Sequence, residues 1–205
     1  MSGVRDSRTA DIKFPEGRWV GKTEKKLLVA YASKYGPTGG VANAIGMELC
    51  SKGMTSDVAL INPVDHLGSY QGVVIGSPIY RGNRMPEVAD FVKKNKDILR
   101  QMPVANFLVC MTLSKPTEEK RAKASSCMDL VLKDVPEMKP VRTGILAGAS
   151  DSGDLSRLSK GILKSKGTPE GDYRDWTAIQ AWAREPLSFM AQPVAPAGPE
   201  NSAIR

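Results

Sequence analysis

Lys26-Leu27-Leu28-Val29-Ala30-Tyr31-Ala32 runs directly into Ser33-Lys34-Tyr35-Gly36-Pro37-Thr38-Gly39-Gly40, and a helical pattern takes over at Val41. A short apolar strand entering a loop of hydroxyls and glycines ahead of a helix gathers unpaired backbone N–H groups at the positive end of a helix dipole. Such a point suits a phosphate. Ser33 and Thr38 can donate to phosphate oxygens, and Gly36 and Gly39 let the backbone approach closely. No Gly-Lys-Ser/Thr follows, so this is not a Walker loop, and the glycine spacing is not the Gly-x-Gly-x-x-Gly of dinucleotide folds. The pattern argues for a mononucleotide phosphate bound without a metal; an ordinary strand-to-helix turn is the plain alternative.

Outward from this stretch the chain alternates strands and helices. Leu27–Ala32, Asp57–Ile61, Gly72–Gly76, Val104–Cys110 and Val141–Ala147 read as strands. The continuous Val73-Val74-Ile75 run is typical of a strand buried on both faces. Helices are expected at Val41–Lys52, at Pro86–Lys94 with proline in the first turn, at Thr117–Lys133 with Glu118-Glu119 in the first turn, and at Asp175–Met190 with Asp175 as N-cap. Pro186 is placed to shorten or kink the last of these. Five strands alternating with helices give a parallel sheet covered on both faces, with ligands bound at the edge formed by the strands' C-terminal ends. Residues 1–24 read as a polar N-terminal extension, with Phe14 and Trp19 docking part of it on the domain. Residues 25–190 form the domain, and 191–205, rich in Pro, Ala and Gly, read as a disordered tail.

Two more loops fall at the same edge. Gly76-Ser77-Pro78-Ile79-Tyr80-Arg81-Gly82-Asn83 follows the third strand, and its spaced glycines suit a backbone folded over a planar ligand, with Tyr80 able to stack on it. Cys110-Met111-Thr112-Leu113-Ser114 follows the fourth and would complete the pocket.

Composition narrows the partners. The chain has 205 residues, 41% hydrophobic and 25% charged, enough for one domain with a sizeable core. No apolar run reaches the roughly 18–20 residues of a membrane span. Met1–Thr23 has no apolar core of a secretory signal, so the expected place is the cytoplasm. Cys50, Cys110 and Cys127 show neither disulfide nor metal spacing, and His66 is the lone histidine; no metal is expected. The net charge of +7 favours an anionic ligand or anionic lipid, against the plain reading of solvated helix faces. Basic residues thicken at Lys93-Lys94, Lys115–Lys123 and Arg157–Lys166 without interleaved aromatics, so nucleic acid is not expected.

The order of these features resembles a flavodoxin-like fold: a three-layer α/β sandwich with a five-stranded parallel sheet in the order 2-1-3-4-5. Ser33-Lys34-Tyr35-Gly36-Pro37-Thr38 resembles the Thr/Ser-x-Thr-Gly-x-Thr loop that holds the FMN phosphate, with Tyr35 where the pattern has a hydroxyl residue of Ser/Thr type. Gly76-Ser77-Pro78-Ile79-Tyr80 resembles the first loop against the flavin ring. The resemblance implies FMN as cofactor, with contacts from Ser33, Lys34, Tyr35, Gly36, Pro37 and Thr38, from Ser77, Pro78, Ile79, Tyr80, Arg81 and Gly82, and from Met111, Thr112 and Leu113.

A closer resemblance is to the menaquinone-using, flavodoxin-like protoporphyrinogen oxidases. It is carried by Val73-Val74-Ile75-Gly76-Ser77 running to Phe91-Val92-Lys93-Lys94, by Lys115-Pro116, by Ala147-Gly148-Ala149 followed by a basic stretch ending in Ile162-Leu163-Lys164, and by Asp175-Trp176 with Ala183-Arg184-Glu185. It implies hydrogen transfer from a reduced substrate, an anionic porphyrinogen, to flavin N5, electron transfer to a quinone or redox protein, and peripheral contact with the inner membrane. Arg81, Arg84, Lys115 and Arg157 are candidates to hold an anionic substrate; no side chain reads as a catalytic acid or base. The third loop offers Met111 and Leu113 where short-chain flavodoxins commonly place an aromatic, which leaves one flavin face open. An electron-transfer flavodoxin without its own small-molecule substrate is the alternative, and a flavodoxin-fold protein without FMN a third reading.

Overall fold

The computed structural model describes residues 14–79, 85–133, 140–150 and 171–185, with the side chains of 127–133 excepted. The tail 191–205, the first part of the extension, Cys127's side chain and the helix expected beyond Glu185 lie outside the described residues.

Strands β1 (Gly17–Trp19), β2 (Lys26–Tyr31), β3 (Thr55–Leu60), β4 (Gly72–Pro78), β5 (Val104–Cys110) and β6 (Arg142–Ala147) form one sheet in the order β1-β3-β2-β4-β5-β6. From β2 onward neighbours pair in parallel, and counting from β2 the order is the expected 2-1-3-4-5. The sheet has six strands, not five. The sixth is β1, which pairs antiparallel with β3 through Gly17↔Val58, Arg18↔Asp57 and Trp19↔Ser56. In a 2-1-3-4-5 sheet β3 would expose an edge of unpaired backbone groups. Residues from within the stretch 1–24 cover that edge, and the Glu16 carboxylate extends the cover by accepting from the Leu60 N–H at 3.1 Å.

Alternation along β2 splits the core. Leu27, Val29 and Tyr31 face one side, where helices α1 (Pro37–Ser51) and α5 (Trp176–Arg184) pack through Val41, Ile45, Leu49, Ile179 and Trp182. Leu28 and Ala30 face the other, under Val88, Phe91 and Val92 of α2 (Pro86–Lys94) and Leu99 of the short α3 (Lys96–Leu99). Helix α4 (Glu118–Lys133) leads to β6. Its first turn is capped by Thr117 Oγ1, which accepts from the Lys120 N–H at 3.3 Å.

Helix α1 begins at Pro37, four residues ahead of the expected Val41. Pro37 pre-sets the first helical φ. Gly36, at φ +96°, turns the chain into it. At the other end of the domain Asp175 caps α5 by accepting from the Ala178 N–H at 2.9 Å. The two helices are pinned together by Arg184 Nε donating to Glu48 Oε1 at 2.7 Å. That bond outweighs burial and holds the Glu48 carboxyl below its ordinary range.

A half-buried carboxylate ties β1, β2 and β3. Asp57 accepts from Arg18 Nε at 2.6 Å and Tyr70 Oη at 2.8 Å, and Lys26 Nζ lies 3.0 Å away. Burial pushes its pKa up, but the donors Arg18, Lys26 and Tyr70 outweigh it and hold the group at about 2. Because the folded pKa is depressed, the stabilisation is present above the unfolded value and is lost as pH falls through the folded one. Stability should therefore drop by about 1–2 kcal/mol from this group between about pH 5 and pH 2. Urea unfolding checks it: the gap between the wild type and Asp57→Asn should be widest at neutral pH and narrow at about pH 3. A gap that does not change with pH counts against the assignment.

Candidate cofactor site

The C-terminal end of β2 is held on both sides. The Ala32 N–H donates to Gly76 O at 2.9 Å, and the Ile61 N–H donates to Tyr31 O at 2.9 Å. Beyond it, Ser33 Oγ accepts from the Gly36 N–H at 3.0 Å and closes the loop on itself. Gly36 O then accepts from the Gly39 N–H at 2.8 Å and the Gly40 N–H at 3.3 Å. Pro37 has no N–H, and no side chain caps α1. The Tyr35 and Thr38 N–H groups thus donate to nothing among the described residues. The Thr38 side chain is only 2% exposed, and its hydroxyl likewise makes no hydrogen bond there. Unpaired donors at the positive end of a fifteen-residue helix are what binding an anion requires. Tyr35, the irregular position, turns outward: it is 37% exposed, with Lys34 Nζ 5.5 Å from its ring centre.

In the second loop Ser77 is buried, and its hydroxyl donates to Pro78 O at 3.0 Å and accepts from the Met85 N–H at 3.2 Å. One oxygen thereby fixes both ends of the segment leading into α2. The Ile79 N–H donates to Val109 O at 2.9 Å, and its side chain packs with Leu108 and Ile145. Ser77, Pro78 and Ile79 therefore lie at the sheet edge beside the phosphate loop; Tyr80, Arg81, Gly82 and Arg84 lie outside the described residues. Ser77→Ala should cost about 1–2 kcal/mol, because the Met85 N–H loses its acceptor. Thermal unfolding measures the loss, and a melting temperature equal to that of the wild type would mean the latch is dispensable.

Met111, Thr112 and Leu113 form a 3-10 turn (Met111–Ser114), all half-buried, at the end of β5. Lys115 follows it, exposed. Arg157, the remaining candidate to hold a substrate, lies outside the described residues. Sequence reasoning did not place the next part of the edge. Cys110 O accepts from the Gly148 N–H, and Gly148 O accepts from the Tyr173 N–H, both at 3.1 Å. A small antiparallel pair, β7 (Ala149–Ser150) with β8 (Gly171–Asp172), returns the chain there. Beyond β8, Arg174 reaches α1: a Cβ on Gly40 would lie 2.5 Å from its Nη1. Arg174 belongs to no motif, and it meets Gly40 only through the fold. Among the described residues no group of His, Cys, Asp and Glu could hold a metal ion.

A family model described as a flavodoxin domain matches residues 28–175, most of the chain. The chain belongs to the flavodoxin-domain family. Among solved structures it is similar to the rubredoxin oxygen:oxidoreductase of Desulfovibrio gigas, at 14% identity and TM-score 0.53, covering 84% of this chain and 38% of that one. It is also similar to a flavodoxin from the domain Archaea, at 16% identity and TM-score 0.49, covering 82% and 99%. A third is a flavoprotein in complex with FMN from Lactobacillus acidophilus, at 15% identity and TM-score 0.44, covering 67% and 99%. The chain thus spans 38% of the length of the Desulfovibrio protein. At these identities the likeness is one of fold. No curated protein matches the chain at the sequence level. No helix among the described residues is long and apolar enough to cross a membrane.

The cofactor that goes with this flavodoxin family is FMN, and the phosphate end of the site fits it. A dianionic phosphate needs several donors and no acidic neighbour. Tyr35 N–H, Thr38 N–H, the Thr38 hydroxyl and the Ser33 hydroxyl could supply donors, and the loop Ser33–Gly40 contains no carboxylate.

Proposed function

We propose that this flavodoxin-domain protein is an FMN-dependent oxidoreductase that takes hydrogen from a reduced anionic small molecule, a porphyrinogen of the protoporphyrinogen type, and passes the electrons to a quinone. The observation that carries this reading is the third loop. Met111-Thr112-Leu113-Ser114 is a tight half-buried turn without an aromatic ring, so this loop offers nothing to stack on the face where a substrate would sit. The net charge of +7 supports the same reading, since a basic surface favours a substrate bearing carboxylates and an anionic membrane leaflet.

FMN, when bound, supplies acceptance of hydrogen at N5 and onward electron transfer. The chain supplies placement. Ser33, Thr38 and the Tyr35 and Thr38 N–H groups hold the phosphate end. Ser77 fixes the start of the ring loop by tying Pro78 to Met85. Lys115, exposed beside the third loop, attracts carboxylates. No acid or base is assigned to a side chain.

The test has two steps. The purified protein should carry, or take up, a stoichiometric flavin visible in its absorption spectrum; a colourless protein that refuses FMN would overturn the redox reading. The loaded protein should then oxidise protoporphyrinogen with a menaquinone analogue as acceptor. A flavin that cycles with a reductase while no quinone-linked oxidation occurs would instead make the chain an electron carrier.

A further inference from the structure

We propose that Arg174, which lies outside the phosphate loop, is a further cofactor-positioning residue that supplies the cation and donor which Tyr35 does not. Three observations carry this. The Arg174 side chain is only 19% exposed and its guanidinium is held in one orientation: Nε donates to Asp172 Oδ1 at 2.8 Å, Nη2 donates to Asp172 Oδ2 at 2.6 Å, and its centre lies 4.5 Å from the Trp176 ring. Held this way, the fork leaves Nη1, which makes no hydrogen bond among the described residues.

Nη1 is aimed at α1. It stands 2.5 Å from the position of a Cβ on Gly40. A helical Cα–Cβ bond tilts toward the helix N-terminus, so the patch it covers lies over the preceding turn. Gly40 is the fourth residue of α1, which places Nη1 over the first turn, the turn of Pro37 and Thr38. Gly40 is then glycine for a reason that helix propensity opposes: a side chain there would evict the guanidinium.

The third observation is the gap to be filled. Tyr35 stands half out in solvent against Lys34, so its side chain brings no donor to the loop. Thr38 lies in the same first turn, two residues before Gly40, and its N–H makes no hydrogen bond among the described residues. Asp172 does not cancel the effect, because it occupies Nε and Nη2 and leaves Nη1, the nitrogen nearest Gly40.

The proposal rests on the FMN reading of the site. It is tested by measuring the affinities of FMN and of riboflavin, which lacks the phosphate, for the flavin-free protein and its variants. Arg174→Gln should weaken FMN roughly tenfold or more, the usual size for a hydrogen bond to a charged group, and leave riboflavin within about twofold. The salt dependence of FMN binding should become shallower. Arg174→Lys should recover part of the loss. Gly40→Ala keeps the arginine but displaces the flexible end of its side chain, so the protein should fold at least as stably and still bind FMN more weakly. Equal losses for FMN and riboflavin, or an unchanged salt slope, would reduce Arg174 to a structural clamp and overturn the proposal. Failure of the wild type to bind FMN is a different result, which overturns the cofactor reading itself.

Discussion

Gly76→Ala should destabilise the protein by about 3 kcal/mol, at the upper end of what overpacking a core costs. Gly76 lies in β4 directly opposite Phe107 of β5. A Cβ there would fall 2.2 Å from Phe107 Cζ, 2.6 Å from Cε1 and 2.8 Å from Cε2. The ring has no room to retreat. Phe107 is fully buried and meets Trp182 edge-on, with centroids 5.9 Å apart, and Trp182 is in turn fixed by its indole N–H donating to Thr143 O at 3.2 Å. A glycine inside a strand commonly marks such a close approach. Damage here also reaches the site, because Gly76 O accepts from the Ala32 N–H at the mouth of the phosphate loop. The melting temperature should fall by roughly 5–10 °C, and FMN should bind more weakly. Gly76→Ala combined with Phe107→Leu should lose less than the sum of the two single changes, because the smaller side chain vacates the clash. Full additivity would show that the ring is not what the glycine accommodates.

That glycine also shows what the sequence made legible. β5 and α2 end where the residue pattern ended them, because a buried apolar strand and a proline-opened helix announce themselves locally. The strand expected to end at Gly76 runs on to Pro78, so Gly76 lies inside it, and the reason for a glycine there, a phenylalanine on the next strand, lies in tertiary packing. The start of α1 was misplaced for the same cause. Gly39-Gly40 looks like loop because glycine is the weakest common helix former after proline. The fold overrides propensity: a Cβ on Gly39 would sit 2.7 Å from Pro15 Cδ and 3.0 Å from the Tyr31 ring, and Gly40 lies under Arg174. β1 has three residues, too few for any period to show, and exists because β3 needs a partner. Of the site, the hydroxyls and glycines of Ser33–Thr38 were legible as one local motif. Arg174 was not, since its placement depends on a return of the chain from β7 and β8 that no local pattern encodes.

Thr38→Ala should weaken FMN binding by about 1–3 kcal/mol, the range for a hydrogen bond to a charged group, while leaving the flavin-free protein as stable as before or more so. The two halves of this expectation come from one observation. Thr38 is 2% exposed, and its hydroxyl makes no hydrogen bond among the described residues, yet its oxygen is not one of the buried polar atoms left without a partner. In the flavin-free protein it adds nothing to the fold through hydrogen bonding, because it bonds no described protein group. Alanine gives up no protein hydrogen bond and is the better helix former. In the complex the same hydroxyl would donate to the phosphate, an interaction strengthened by the acceptor's charge. Thr38→Ser keeps the donor and should retain most of the affinity. A residue present only for packing would behave the opposite way: Thr38→Ala would lower the melting temperature and leave the dissociation constant untouched. Paired thermal unfolding and FMN titration on Thr38→Ala and Thr38→Ser therefore separate a group kept for its ligand from a group kept for the fold. An unchanged dissociation constant would show that the phosphate is not bound at this turn.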